Sequence, residues 1–163
     1  MRNFLWLTLF MFGWLLIELS FFGILLDTRT PLVLITLAIA FTLILGFRSG
    51  FWWAIGSALF FDILRGGTLT SLILFIATLS YATSFLARRV TLDTQEIHRW
   101  FFVPLPILGV ILYALLNPPL DIRYLWDMLW VIPVWLAIMT TLTKLHAWLT
   151  WSGLAEFRGM RHT

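Results

Sequence analysis

Long unbroken apolar runs constrain the fold of this chain more than any other feature. The first, residues 4–26, contains a single ionisable residue, Glu18. A bilayer core about 30 Å thick is crossed by about 20 apolar residues in helical form. Backbone N–H and C=O groups find no water there, so only helices and closed barrels cross it. Barrel strands alternate polar and apolar positions; runs such as LVLITLAIAF and PILGVILYALL do not. The expected fold is therefore all-α, a polytopic membrane protein. Composition agrees. Only 12% of the 163 residues are charged, about half the share of a soluble domain.

Polar breaks divide the chain into six expected spans: 4–26, 31–47, 51–64, 68–87, 100–116 and 125–149. No linker splits them, so one integral membrane domain over 1–163 is expected. Asp27, Thr28, Arg29 and Thr30 form the first break, and Pro31 suits a first helical turn, where its missing N–H costs nothing. Arg48, Ser49 and Gly50 separate span two from a short span three. Arg65, Gly66 and Gly67 close the third, because glycine adopts the backbone angles of a tight connection. The longest polar stretch is 88–99. Within it Asp93 and Glu96 have capping-box spacing, which starts the fifth helix near Thr94. Pro104 and Pro106 are expected to kink that helix near its start, and Pro133 lies inside the sixth. The N-terminal run exceeds the roughly 7–15 apolar residues of a secretory signal and lacks a small-x-small site, so it is expected to stay as the first span.

Loop arginines and lysines set orientation. One side collects Arg2, Arg48, Arg88, Arg89, Arg99, Lys144, Arg158 and Arg161; the other only Arg29, Arg65 and Arg123. Both termini are expected in the cytoplasm, in a bacterial inner membrane. Many of the ten tryptophans fall near span ends, among them Trp6, Trp52, Trp100, Trp126, Trp148 and Trp151. They fit interfacial belts. The net charge of +3 is spread over loops and forms no nucleic-acid footprint.

Few residues carry chemistry. There is no cysteine, which excludes disulfides and thiol catalysis. His98 and His146 are isolated and lack metal-ligand spacing. GGTLT, residues 66–70, has no lysine and no preceding strand, so it is a turn rather than a phosphate loop. No catalytic residue, cofactor or metal site is expected. Glu18 stands out because an ionisable group inside a membrane faces protein or water; it serves either a neighbouring helix or a partner or ligand. Asp62 is the second candidate. Gly50, Ala54, Ala58 and Asp62 recur every four residues, a small-residue stripe that lets helices approach and turns Asp62 toward the bundle. Arg65 lies one turn on, so Asp62 either pairs with it to close the turn or anchors a groove on the outer side. Arg88, Arg89 and Arg99 are placed to touch anionic lipid.

Two segments carry a family resemblance. RTPLVLITLAIAF, residues 29–41, is similar to the proline-led second span of the bacterial rod-shape-determining protein MreD. DILRGGTLTSLILF, residues 62–75, resembles that family's most recognisable stretch: an aspartate near a helix end, a short turn, a glycine, then the next helix. The resemblance implies a six-helix bundle like the S-components of energy-coupling-factor vitamin transporters. It implies a non-enzymatic scaffold of the rod complex that directs lateral cell-wall synthesis. The implied partners are an MreC-like membrane protein, actin-like MreB and the elongation-specific cell-wall synthases. Asp62, Arg65, Gly66 and Gly67 would shape the loop between spans three and four, and Glu18 would be an intramembrane contact. The shared fold makes a substrate-binding transporter subunit the rival reading. A membrane enzyme would need a base or nucleophile with an orienting partner, and no such set stands out in the sequence.

Overall fold

A computed structural model describes residues 2–25, 30–65, 71–89, 102–117 and 123–159, and every regular element among them is helical. Helix α1 is Arg2–Ile17 and continues as a π-helical segment, Glu18–Leu25. Helices α2, α3, α4 and α5 follow as Leu32–Arg65, Ser71–Arg89, Pro104–Leu116 and Arg123–Gly159. Four stretches are long and apolar enough to cross a membrane: Asn3–Ile24, Leu32–Arg65, Leu72–Arg89 and Arg123–Trp151. Pro104–Leu116 is apolar but shorter.

The expected spans 31–47 and 51–64 fall within the single element α2. It is broken at Gly46, whose φ of 76° and ψ of 166° are not helical. The break comes earlier than Arg48, Ser49 and Gly50, all of which are helical. A positive φ is strained for any residue with a Cβ, so the turn sits at the glycine. The chain doubles back there. A Cβ on Gly50 would lie 2.3 Å from the Phe41 carbonyl oxygen, and the Phe41 and Trp53 rings stand 5.9 Å apart. Twelve residues along a straight helix would separate those rings by about 18 Å. Gly50 is therefore required for close approach of two limbs, 32–45 and 47–65, rather than for a turn. The second limb is longer than the short span expected.

The first limb is the centre of the bundle. All ten residues from Leu32 to Phe41 are fully buried. Its sequence is apolar on every face, which suits a helix surrounded by others. Thr36 donates its hydroxyl to the Leu32 and Val33 carbonyls at 2.8 and 2.9 Å. Thr42 does the same to Ala38 and Thr83 to Leu79, both at 2.8 Å. Such back-bonding lets a hydroxyl sit in an apolar interior without a partner on another helix.

The outer helices bury one face each. In α1 and its π continuation that face is Leu7, Met11, Leu15, Glu18 and Phe22. In α5 it includes Tyr124, Asp127, Val131, Val134, Trp135, Ile138 and Leu142. The expected stripe on α2 also holds, with Gly50, Ala54, Ala58 and Asp62 all buried. Helix α4 approaches the centre at Gly109, where a Cβ would meet Ile35 Cγ2 at 2.8 Å. Pro104 and Pro106 do not kink this helix; they occupy its first turn, where a missing N–H leaves no bond unmade. A start near Thr94 lies outside the described residues. Pro133 is inside α5, which runs beyond the expected 125–149 in both directions. Trp52, Trp126, Trp148 and Trp151 are exposed, as an interfacial belt requires.

Gly50→Ala should lower the thermal midpoint in detergent, because overpacking against backbone costs about 1–3 kcal/mol. Gly56 has nothing within 4 Å of its absent Cβ, so Gly56→Ala should leave the midpoint unchanged or raise it. Tryptophan fluorescence on heating reads both.

Candidate functional site

The start of α2 is the most polar place in the interior. A helix leaves its first N–H groups without intrahelical partners, and this one starts among buried residues. Thr30 is 1% exposed and Leu32 is fully buried. Pro31 removes one donor, and Leu32 donates to the Thr30 carbonyl at 2.8 Å. The next amide, Val33, donates to Oε2 of Glu18, reaching across from the π-helical segment. The amides of Leu32 and Leu34 lie close enough to interact with the same carboxylate. Glu18 is 3% exposed, so its carboxylate is an interhelical cap. A carboxyl oxygen at a helix N-terminus is well suited as an acceptor, because it faces the positive end of the helix dipole.

A second carboxylate approaches from α5. Asp127, 1% exposed, accepts the Thr30 amide at 3.1 Å and the Thr30 hydroxyl through the same oxygen, Oδ2. Two acidic side chains from helices at opposite ends of the sequence thus hold residues 30–33.

The expected site residues divide. Glu18 and Arg65 line one cavity of about 220 Å³, with Leu19, Gly23, Ile24, Thr30 and Phe61. Asp62 is adjacent in sequence but buried, and its Oδ2 has no hydrogen-bond partner among the described residues. The Arg65 guanidinium lies over the Phe61 ring, 5.8 Å from its centroid. Gly66 and Gly67, with the turn they were expected to make, lie outside the described residues. Tyr113 on α4 is within electrostatic range of Glu18, Asp62, Arg65 and Tyr124. Tyr124 donates to the Asn117 carbonyl at 3.1 Å, so both ends of the α4–α5 connection meet here. His98 is outside the described residues. His146 borders a different cavity, with Asn3, Ser49 and Thr150. Among the described residues no group of three or more His, Asp or Glu side chains converges as a metal site.

No family model, curated protein or solved structure matches this chain.

Asp127 was not among the expected site residues. It stands at the third position of the span 125–149, where a carboxylate reads as ordinary interfacial polarity. One signal did point to it. Tyr124, Asp127, Val131, Val134 and Ile138 are spaced three, four, three and four apart, which puts Asp127 on the helix's inward face.

Removing either carboxylate strands a buried donor, at a cost of about 1–3 kcal/mol. Glu18→Leu and Asp127→Leu should each lower the thermal midpoint clearly. Glu18→Gln and Asp127→Asn keep an acceptor oxygen and should lower it less. Equal midpoints for the Leu and amide variants would show that these groups do not act as acceptors. A second measurement concerns Asp62 and Arg65. Because the guanidinium stacks on Phe61, a double-mutant cycle of Asp62→Ala and Arg65→Ala should be additive. Coupling above about 0.5 kcal/mol would reinstate the ion pair.

Proposed function

We propose that this chain is a non-enzymatic, MreD-like membrane scaffold of the bacterial cell-wall elongation complex. On this reading it crosses the inner membrane six times, the two limbs of α2 each counting as a span, with both termini in the cytoplasm. Its partners would be an MreC-like membrane protein, actin-like MreB and the elongation synthases. The family part of the reading rests on the two segments 29–41 and 62–75.

One structural observation supports a scaffold over an enzyme: two intramembrane carboxylates, Glu18 and Asp127, are engaged with the protein's own backbone. Glu18 caps Val33 and Asp127 holds Thr30. The large exposed apolar surface of α1 and α3, including Phe4, Leu16, Ile24, Leu74 and Tyr81, leaves room for lipid and for another protein's helix.

A second reading, a substrate-binding subunit of a small-molecule transporter, is favoured by the cavity beside Glu18, Thr30 and Arg65. Ligand sites are concave with a few convergent polar groups. This cavity, at about 220 Å³, is below the roughly 300–1,000 Å³ usual for such sites.

Affinity purification in mild detergent separates the two. The scaffold reading predicts recovery of an MreC-like protein or the elongation synthases. Recovery of an energising ATPase module with a bound vitamin would overturn it. Topology reporters fused to each end should both signal from the cytoplasm; opposite faces would contradict the even number of crossings.

A further inference from the structure

The buried acids of this bundle lie away from the Gly46 reversal. The carboxylates Glu18, Asp62 and Asp127 are buried, and Glu18 and Asp127 gather at the start of α2. Asp62 lies near its end, in electrostatic range of the same Tyr113 as Glu18. Basic side chains stand toward the opposite end, where α2 reverses at Gly46. Arg48 follows the reversal directly, and Arg88 and Arg89 end α3; all three are exposed.

An aromatic cluster positions Arg88. Phe47 stacks near Phe51, with ring centroids 5.3 Å apart, and meets Tyr81 of α3 edge-on at 6.1 Å. The Arg88 guanidinium lies over the ring of half-buried Phe47, 5.9 Å from its centroid. Arg89 lies 5.2 Å from the Phe85 centroid. A guanidinium lying on a ring keeps its donors in its own plane, free to make two parallel bonds to a phosphate. Arg48, one residue after Phe47, brings a second guanidinium to the same helix end. The helices that carry these arginines are apolar along the bilayer side, with Trp52, Phe85 and Leu86 exposed just inside them. The chemistry matched is a phosphodiester with attached acyl chains: charge at the helix ends and hydrocarbon immediately beneath.

We propose that Arg88, set on the Phe47 ring, and Arg48, the next residue after Phe47, form a binding site for the headgroup of an anionic phospholipid. Phe47 is the positioning residue, and Arg89 extends the basic surface. The site requires only that these helices cross a bilayer, and stands whether or not the scaffold reading does.

The test uses the full chain in neutral detergent, titrated with phosphatidylglycerol, phosphatidylcholine or inorganic phosphate. Lipid retention by native mass spectrometry and the thermal midpoint are the readouts. Phosphatidylglycerol should be retained and raise the midpoint, while phosphatidylcholine should do neither. Arg48→Gln with Arg88→Gln should weaken phosphatidylglycerol binding roughly 30-fold, from about one surface charge interaction lost per arginine. Lys144→Gln, a basic residue of another helix, should leave it unchanged. Should the double variant fail to fold, Arg88→Lys serves instead; it keeps the charge, loses the planar fork and should bind several-fold more weakly. Undiminished binding by the arginine variants overturns the proposal. So does equal retention of phosphatidylcholine. An equal midpoint shift from inorganic phosphate alone overturns the lipid assignment, because the acyl chains would then contribute nothing.

Discussion

The structure depends on satisfying the first backbone donors of a helix that begins inside the bundle. Water satisfies such groups at most helix starts. Here Thr30 and residues 32–41 are all buried, and a bare N–H in hydrocarbon costs several kcal/mol. Glu18 and Asp127 meet that demand from two different helices. The same bonds fix the relative depth of α1, α2 and α5, because each carboxylate reaches only a short stretch of backbone. A polar requirement thereby sets the register of an otherwise apolar bundle, where dispersion and shape alone permit sliding.

The second constraint acts at the other end of the central limb. Gly46 reverses the chain with a positive φ, and Gly50 lets the returning limb rest on the backbone of Phe41 and Thr42. Between these two fixed ends the limb 32–45 is enclosed by apolar side chains. The outer helices present their remaining faces outward, with large residues such as Phe4, Ile24, Trp52 and Leu116 exposed. In water this would be a liability; in lipid it is the ordinary solvent contact. The buried acids Glu18 and Asp127 gather at the end opposite the Gly46 reversal.

Much of this was legible in the sequence. Helical class followed from the length of the apolar runs, and the inward stripe Gly50, Ala54, Ala58 and Asp62 from its period of four. Glu18 stood out because it interrupts an apolar run. What it bonds was not legible, since its partner is a main-chain amide 15 residues away, and every residue carries such an amide. Asp127 escaped notice for a related reason. Its partner Thr30 is 97 residues distant, and near a span end an acid is unremarkable unless its helical face is traced. The reversal was assigned to Arg48, Ser49 and Gly50 because polarity and glycine coincide there. Gly46 lies within an apolar stretch, and only its φ distinguishes it. For Asp62 the spacing left two roles open, a pair with Arg65 or an anchor for a groove; the Arg65 guanidinium lies over the neighbouring Phe61 ring.

The two best-placed acids, Glu18 and Asp127, serve the protein's own architecture. The claim beneath this is that the start of α2 is clasped between α1 and α5. The chain has no cysteine, so an introduced pair reports without background. Thr30→Cys with Asp127→Cys, made in membranes and treated with a mild oxidant, should form an intramolecular disulfide and run with altered mobility that a reductant reverses. If that pair stays reduced under oxidation that crosslinks a control pair on adjacent turns of one helix, the clasp does not exist as described.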